Sequence, residues 1–381
     1  MSNRWPGGLI RKTPVTPAGP FQSGAASGVW SLADAAYWKK QGLWPTQGVV
    51  QPVIAVAHET SPYVTSYPWS VGSGFGAKYA NPATLVTGTG NGVAFSPSGN
   101  AIAVAHTTTP FITAYPWSIS GFGTKFADPA TLPNIGGNGV AFSPAGDAIA
   151  VANQNNPFVI AYPWSGSGFG TKFADPATLP IGTCYGVAFT PAGNAIAFAD
   201  GSTPFIAAYP WSGSGFGTKF ANPATLPAAA GYSVAFSPTG NALAVGHRNT
   251  PFVSVYPWSG SGFGTKYANP ATLPPDDGNG VAFSPAGDAI AVAHGTSPFI
   301  AAYPWSGSGF GTKYANPATL PTGTGRGVAF SLTGDAIAVA HSTTPFVTAY
   351  PWNVSTGFGT KYANPATLPP QAGRGVAFTQ V

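Results

Sequence analysis

The chain has 381 residues, 44% of them apolar and 13% aromatic, which is ample material for a large core. Only 7% are charged, against about 25% in an ordinary soluble domain, and the formal charge is +5. The single cysteine, Cys184, excludes an internal disulfide framework and any multi-cysteine metal site, and no run of about 18 apolar residues offers a membrane helix.

Met1 to Pro20 carries Arg4, Arg11 and Lys12 but no apolar run of signal-peptide length, so the expected product is soluble and lacks an export signal of its own. Residues 1–47 stand outside the repeat described below, yet they hold Trp5, Trp30, Trp38 and Trp44, four of the eleven tryptophans. Ser31-Leu32-Ala33-Asp34 has the spacing of a capping box, so a short helix is expected over about 32–40, ended by Gly42 and Pro45. So much aromatic area implies burial, either as a brace on the chain's own rim or as a docking element on another protein.

From residue 48 to 381 the chain is periodic. Seven copies of Tyr-Pro-Trp end at Trp69, Trp117, Trp164, Trp211, Trp258, Trp305 and Trp352, with one spacing of 48 and five of 47. Each copy holds four strand signals, and such units bury their faces only by stacking into a ring, so the expectation is a seven-bladed, all-β propeller of four-stranded blades. Gly-Val-Ala-Phe is the inner strand, and Ser-Pro-x-Gly-Asn/Asp is the tight turn after it. The second strand alternates Ala with Ile or Val, as in Ala289 to Ala293. Pro298 to Trp305 is the third strand, with proline marking its limits, and Gly311 to Ala315 is the expected outer strand. Its lysine, repeated as Lys78, Lys125, Lys172, Lys219, Lys266, Lys313 and Lys361, guards an open edge or weakly attracts anionic polymers. Val53 to Ala57 has no inner strand before it, and Gly375 to Phe378 has no second strand after it; the C-terminal strand should therefore complete the N-terminal blade.

Val281 to Gly287 resembles the first hairpin of WD-repeat propellers, although each Tyr-Pro-Trp is followed by Ser or Asn and not Asp. The stretch from Ser27 to Pro45, and the repeated Gly-Phe-Gly-Thr-Lys-Tyr-Ala-Asn-Pro-Ala-Thr-Leu-Pro runs, resemble segments of bacteriophage structural and tail proteins. That resemblance implies a non-enzymatic virion protein, made in the host cytoplasm and tail-associated. It would dock on other virion proteins through Trp5, Trp30, Trp38 and Trp44, with room for a homo-oligomer within the particle. The propeller would adhere to a host surface glycan or protein; the alternatives are an architectural tail or capsid decoration protein and an envelope-polysaccharide depolymerase. No cofactor, metal, nucleic acid or membrane insertion is expected.

Comparison of the copies places sequence diversity in two loops that open on one face. After the second strand stand His58, Glu59, His106, Asn153, Gln154, Asp200, His247, Arg248, His294 and His341. Between blades stand Asn134, Tyr185, Tyr232, Asp276, Asp277, Arg326 and Arg374. These residues form the expected binding face, with neutral drift at solvent-facing turns as the alternative. The histidines share one repeat position in successive blades, too far apart for a common ion, and turn hydrogen bonding is their expected role. No catalytic motif occurs, and Asp276 and Asp277 are sequence neighbours that do not face a common substrate.

Overall fold

The computed structural model describes residues 51–380, and within them the repeat becomes seven four-stranded antiparallel sheets. A representative blade runs outward from the axis through Gly90–Phe95, Ala101–His106, Ile112–Ser118 and Gly121–Phe122. The closing blade joins Gly373–Gln380 to Pro52–His58, Val64–Ser70 and Gly74–Phe75, with Phe378 opposite Ile54 and Val376 opposite Val56. Closure by the C-terminal strand is therefore as the two incomplete ends required. The expected helix over 32–40 and the four N-terminal tryptophans lie outside the described residues.

The core lies between blades. Ala101, Ala103 and Ala105 of one second strand share a buried cluster with Ile149 and Val151 of the next. Ala289, Ala291 and Ala293 do the same with Ile337 and Val339. Alternation of small and branched residues thus sets a thin face against a thick one, which lets the sheets approach closely while leaving no gap.

Tyr-Pro-Trp stitches each pair of blades. The Tyr162 hydroxyl donates to the Thr131 carbonyl of the preceding blade's connection at 2.8 Å, and Tyr67 makes the same bond to Thr367 across the ring closure. Trp164 receives Phe126, Phe142 and Phe169 edge to face, with ring centroids 5.2, 5.1 and 5.1 Å away. Phe126 comes from the neighbouring blade, so the indole closes the outer end of the interblade core.

The turn after the inner strand forms as expected. Gly99 has φ of 68° and donates to the Ser96 carbonyl at 2.9 Å, and the Ser96 hydroxyl bonds Asn100. Two strand limits differ from expectation. The first proline of the third segment lies in the turn before the strand, whereas the second, as in Pro116, sits inside it opposite Ala101. Because Pro116 offers a carbonyl to Gly123 but no N–H in return, the outer ladder stops there. The outer strand is consequently only Gly309–Phe310 in the copy expected to use Gly311 to Ala315. Lysine falls beyond the strand and does not guard its edge; Lys125 pairs with Asp128 and Lys78 bonds Asn81, each three residues on.

Candidate functional site

Each inner strand carries one irregularity at the same place. Gly90 pairs with His106 and Gly92 with Ala105, so Asn91 is an extra residue opposite no partner. The same one-residue shift falls at Asn138, Tyr185, Tyr232, Asn279, Arg326 and Arg374. A bulge of this kind turns a side chain out of the sheet's alternation. All seven side chains line one opening at the end of the axis, together with Thr89, Thr107, Gln154 and Thr324, around a cavity of about 560 Å³.

The flanking residues explain why the middle one varies most, since only Cys184 and Ser233 replace a flanking glycine. A Cβ at Gly137 would lie 2.3 Å from the Phe111 carbonyl oxygen, and one at Gly139 would lie 2.6 Å from that of Tyr185. The backbone packs too tightly for side chains there, which leaves Asn138 as the one free choice in Gly-Asn-Gly. Below the mouth, a narrower channel of about 170 Å³ is lined by one valine per inner strand, from Val93 to Val376.

Around the mouth the seven bulged residues sort by chemistry. Asn91, Asn138 and Asn279 each donate from Nδ2 to a carbonyl of the next blade, at 2.9 Å, and Gln154 donates to Asn138 at 3.3 Å. Tyr185 and Tyr232 meet edge to face with centroids 5.3 Å apart. Arg326 and Arg374 are neighbours in the ring, and both bind one oxygen of Glu59: the Arg326 Nη1 contact is short and the Arg374 Nη2 distance is 2.9 Å. The Arg374 Nε is buried and has no hydrogen-bond partner among the described residues.

The charges respond to this crowding. Burial pushes the Glu59 carboxyl up, but the hydrogen bond from Arg326 and the charges of Arg374 and Arg326 outweigh it and hold the group below its ordinary range. Burial, then the Arg326 charge, lowers Arg374, and Glu59 opposes both. The mouth thus carries two guanidinium groups compensated by one ionised carboxylate.

Of the residues expected to form the binding face, Gln154, Tyr185, Tyr232, Arg326 and Arg374 line the mouth, and Glu59 bonds to it. Asn134, Arg248, Asp276 and Asp277 belong to the same loops but do not line it; Arg248 pairs with Asp277 at 3.4 Å. His58, His106, Asn153, Asp200, His247, His294 and His341 are fully buried and present nothing to a ligand. Thr89, Thr107 and Thr324 were missed, and so were Asn91, Asn138 and Asn279, whose shared identity hid them within a nearly constant Gly-x-Gly. Alignment of that single position across the seven copies would have found the asparagines.

The buried histidines bond the backbone of the turn, at Thr60, Thr108, Asn249, Thr296 and Thr343, and most also reach the strand beside them. Nε2 of His58, His106 and His341 meets the hydroxyl of Thr65, Thr113 and Thr348 at 2.8, 2.9 and 2.9 Å, and His247 meets Ser254 at 3.0 Å. That partner lies seven residues on, across the strand pair. In the blade of His294 the corresponding residue is Ala301, so the ring lacks that hydroxyl and keeps only its contacts with the backbone at Ile300 and Thr296. Asp200 instead accepts from the backbone of Ile181, Gly182 and Ser202 at 3.0, 3.1 and 2.9 Å. No group of three or more His, Cys, Asp or Glu among the described residues could hold a metal ion.

No protein-family model matches the chain, and no curated protein sequence matches it. Solved structures do. A putative 6-phosphogluconolactonase from Bacteroides fragilis is 13% identical with a TM-score of 0.70, covering 88% of this chain and 99% of its own. A second, from Bacteroides uniformis, is 15% identical at 0.68, covering 86% and 99%. The periplasmic gluconolactonase of Pseudomonas aeruginosa is 15% identical at 0.67, covering 87% and 99%. At such identity the likeness establishes the propeller fold. The expectation of a non-enzymatic bacteriophage virion protein with an adhesive propeller is corrected by these neighbours: they are bacterial proteins named for lactonase activity, and none of the three is a particle or tail component.

Proposed function

We propose that the propeller is an enzyme acting on a small polyhydroxylated substrate in the axial mouth, and that its reaction is hydrolysis of a sugar-acid lactone. The observation that carries this reading is the ring of seven bulged side chains, which gathers two guanidinium groups, two phenols and three amides around one cavity. Amides and phenols match the hydroxyl groups and C–H faces of a sugar, and paired arginines match an oxyanion. The names of the neighbouring structures supply the reaction class.

In lactone opening, water adds to the carbonyl carbon and the ring C–O bond breaks. The ring oxygen takes a proton, and the product is a hydroxycarboxylate. Negative charge develops on the carbonyl oxygen and remains on the carboxylate, so Arg326 or Arg374 is placed to stabilise both. Glu59 is the carboxylate bonded to the ring; its bonds to the two arginines keep it ionised and weaken it as a base, so it takes a proton from water only once the substrate's oxyanion has drawn those arginines away.

The test is loss of 6-phosphogluconolactone and of glucono-1,5-lactone, followed against the spontaneous rate in the same buffer. Acceleration by the native chain, and its loss in R326Q/R374Q with an unchanged melting temperature, supports the reading. Rates equal to the blank for both lactones, with folded protein, would sink it.

A further inference from the structure

Two adjacent guanidinium groups sharing one carboxylate oxygen make an unusual arrangement in a ligand-sized cavity. Arg326 and Arg374 come from bulges in neighbouring inner strands, so their positions are fixed by the scaffold. Glu59 arrives from a loop after a second strand, and its carbonyl accepts from the Thr89 hydroxyl at 3.1 Å. Its side chain remains 29% exposed, while the Arg374 side chain, at 39%, keeps a buried Nε without a partner. The carboxylate therefore occupies the site without saturating it: it satisfies one nitrogen of Arg374 and leaves another unmet.

We propose that Arg326 and Arg374 form an oxyanion-binding fork whose resting occupant is Glu59, and that a ligand's phosphate or carboxylate binds by displacing that side chain. This deepens the reading of the mouth as the functional site and rests on it. A phosphate monoester has three terminal oxygens, enough to give each guanidinium group an oxygen of its own, whereas one Glu59 oxygen is shared between the two arginines. Glu59 acts as an internal competitor. It keeps the two like charges together in the free protein and sets a threshold that neutral sugars do not cross. The specificity that follows is for anionic over neutral polyols, with Tyr185 and Tyr232 across the cavity available to the rest of the ligand.

The experiment is calorimetric titration of inorganic phosphate, 6-phosphogluconate, gluconate and glucose into the full chain and into E59Q, R374Q and R326Q. Removing the competing charge in E59Q should tighten phosphate binding about ten- to a hundred-fold, the range of a charge-assisted hydrogen bond. R374Q and R326Q should each weaken it, and glucose should bind no better to E59Q than to the native chain. Phosphate affinity in a folded E59Q equal to or below the native value would overturn the proposal. If E59Q fails to fold, the native chain decides: phosphate binding that survives in R374Q refutes the fork, and loss in R374Q supports it. Phosphate against gluconate distinguishes a phosphorylated ligand from a sugar acid. Because no turnover is read, the fork can hold where lactone hydrolysis fails, and hydrolysis can hold where the fork fails.

Discussion

Acidification should unfold this propeller far above the usual range of carboxylate titration, because its histidines are buried where their sister groups in most proteins are wet. Burial drives His58, His106, His294 and His341 from an ordinary 6.5 to about 4, and lowers His247 in the same direction. A folded value below the unfolded one means that the unfolded chain binds more protons between pH 6.5 and 4. The histidines' contribution is therefore fully present above pH 6.5 and drains away as pH falls through that window. At pH 5 each of the four costs about 2 kcal/mol, and together they cost about 8, comparable with the total stability of about 5–15 kcal/mol typical of a domain. Asp200, pushed up by burial, works in the opposite direction as a single group; Glu59, held low, adds to the loss only below its ordinary range. Thermal melting followed by circular dichroism from pH 8 to 4.5 should show a plateau above pH 7 and a steep fall below pH 6.5. H106N, which copies the Asn153 of a sister blade, should lose about one proton from the slope. A melting temperature that stays level between pH 7 and pH 5 would refute the reasoning.

Three further outcomes follow from the same contacts. Deleting residues 374–381 removes the inner strand of the closing blade, including buried Phe378 and its packing on Trp69; calorimetry should show loss of the cooperative transition or a destabilisation of at least about 3–5 kcal/mol. Y115F removes the hydroxyl that donates to the Thr84 carbonyl at 2.8 Å and should cost about 1–2 kcal/mol in urea unfolding, whereas a change within noise would mean water replaces the bond. A301S places a hydroxyl where four sister blades carry Thr or Ser against His, so it should give the His294 ring the side-chain contact those blades have and raise stability by about 1 kcal/mol; a lower melting temperature would show that the site lacks room for the oxygen.

The ring was legible because repetition amplifies weak local signals. One Gly-Val-Ala-Phe is a poor predictor of a strand, but six in register with a Ser-Val-Ala-Phe as the seventh, an unmatched second strand at one end and an unmatched inner strand at the other, leave one way to close. The outer strand was misread because strand propensity in Gly311 to Ala315 says nothing about hydrogen bonding. What ends the ladder is the missing donor of Pro304, whose carbonyl still accepts from Gly311 at 2.8 Å. The histidines were misplaced for a related reason. They vary between copies, and variation reads as exposure; yet His pairs with Thr or Ser seven residues on in four blades, and where the residue is Asn153 or Asp200 the hydroxyl gives way to Ile160 or Ala207. Paired change at a fixed offset is the mark of buried contact.

The mouth is the converse case. Its seven positions sit between residues that the backbone's close approach keeps mostly to glycine, and three of them share asparagine. Sequence variation finds Tyr185, Tyr232, Arg326 and Arg374 but passes over the three asparagines, whereas the bulge sets all seven apart: an extra residue in each inner strand is paired with nothing and so is released from the sheet's own requirements. A scaffold that repeats one bulge seven times around an axis holds seven independent choices of side chain at fixed positions. In this chain those choices put the two arginines side by side, the two tyrosines side by side and the asparagines between. The pairing of like residues is what turns a symmetric opening into an asymmetric site, with a cationic side and an aromatic side that a single ligand can bridge.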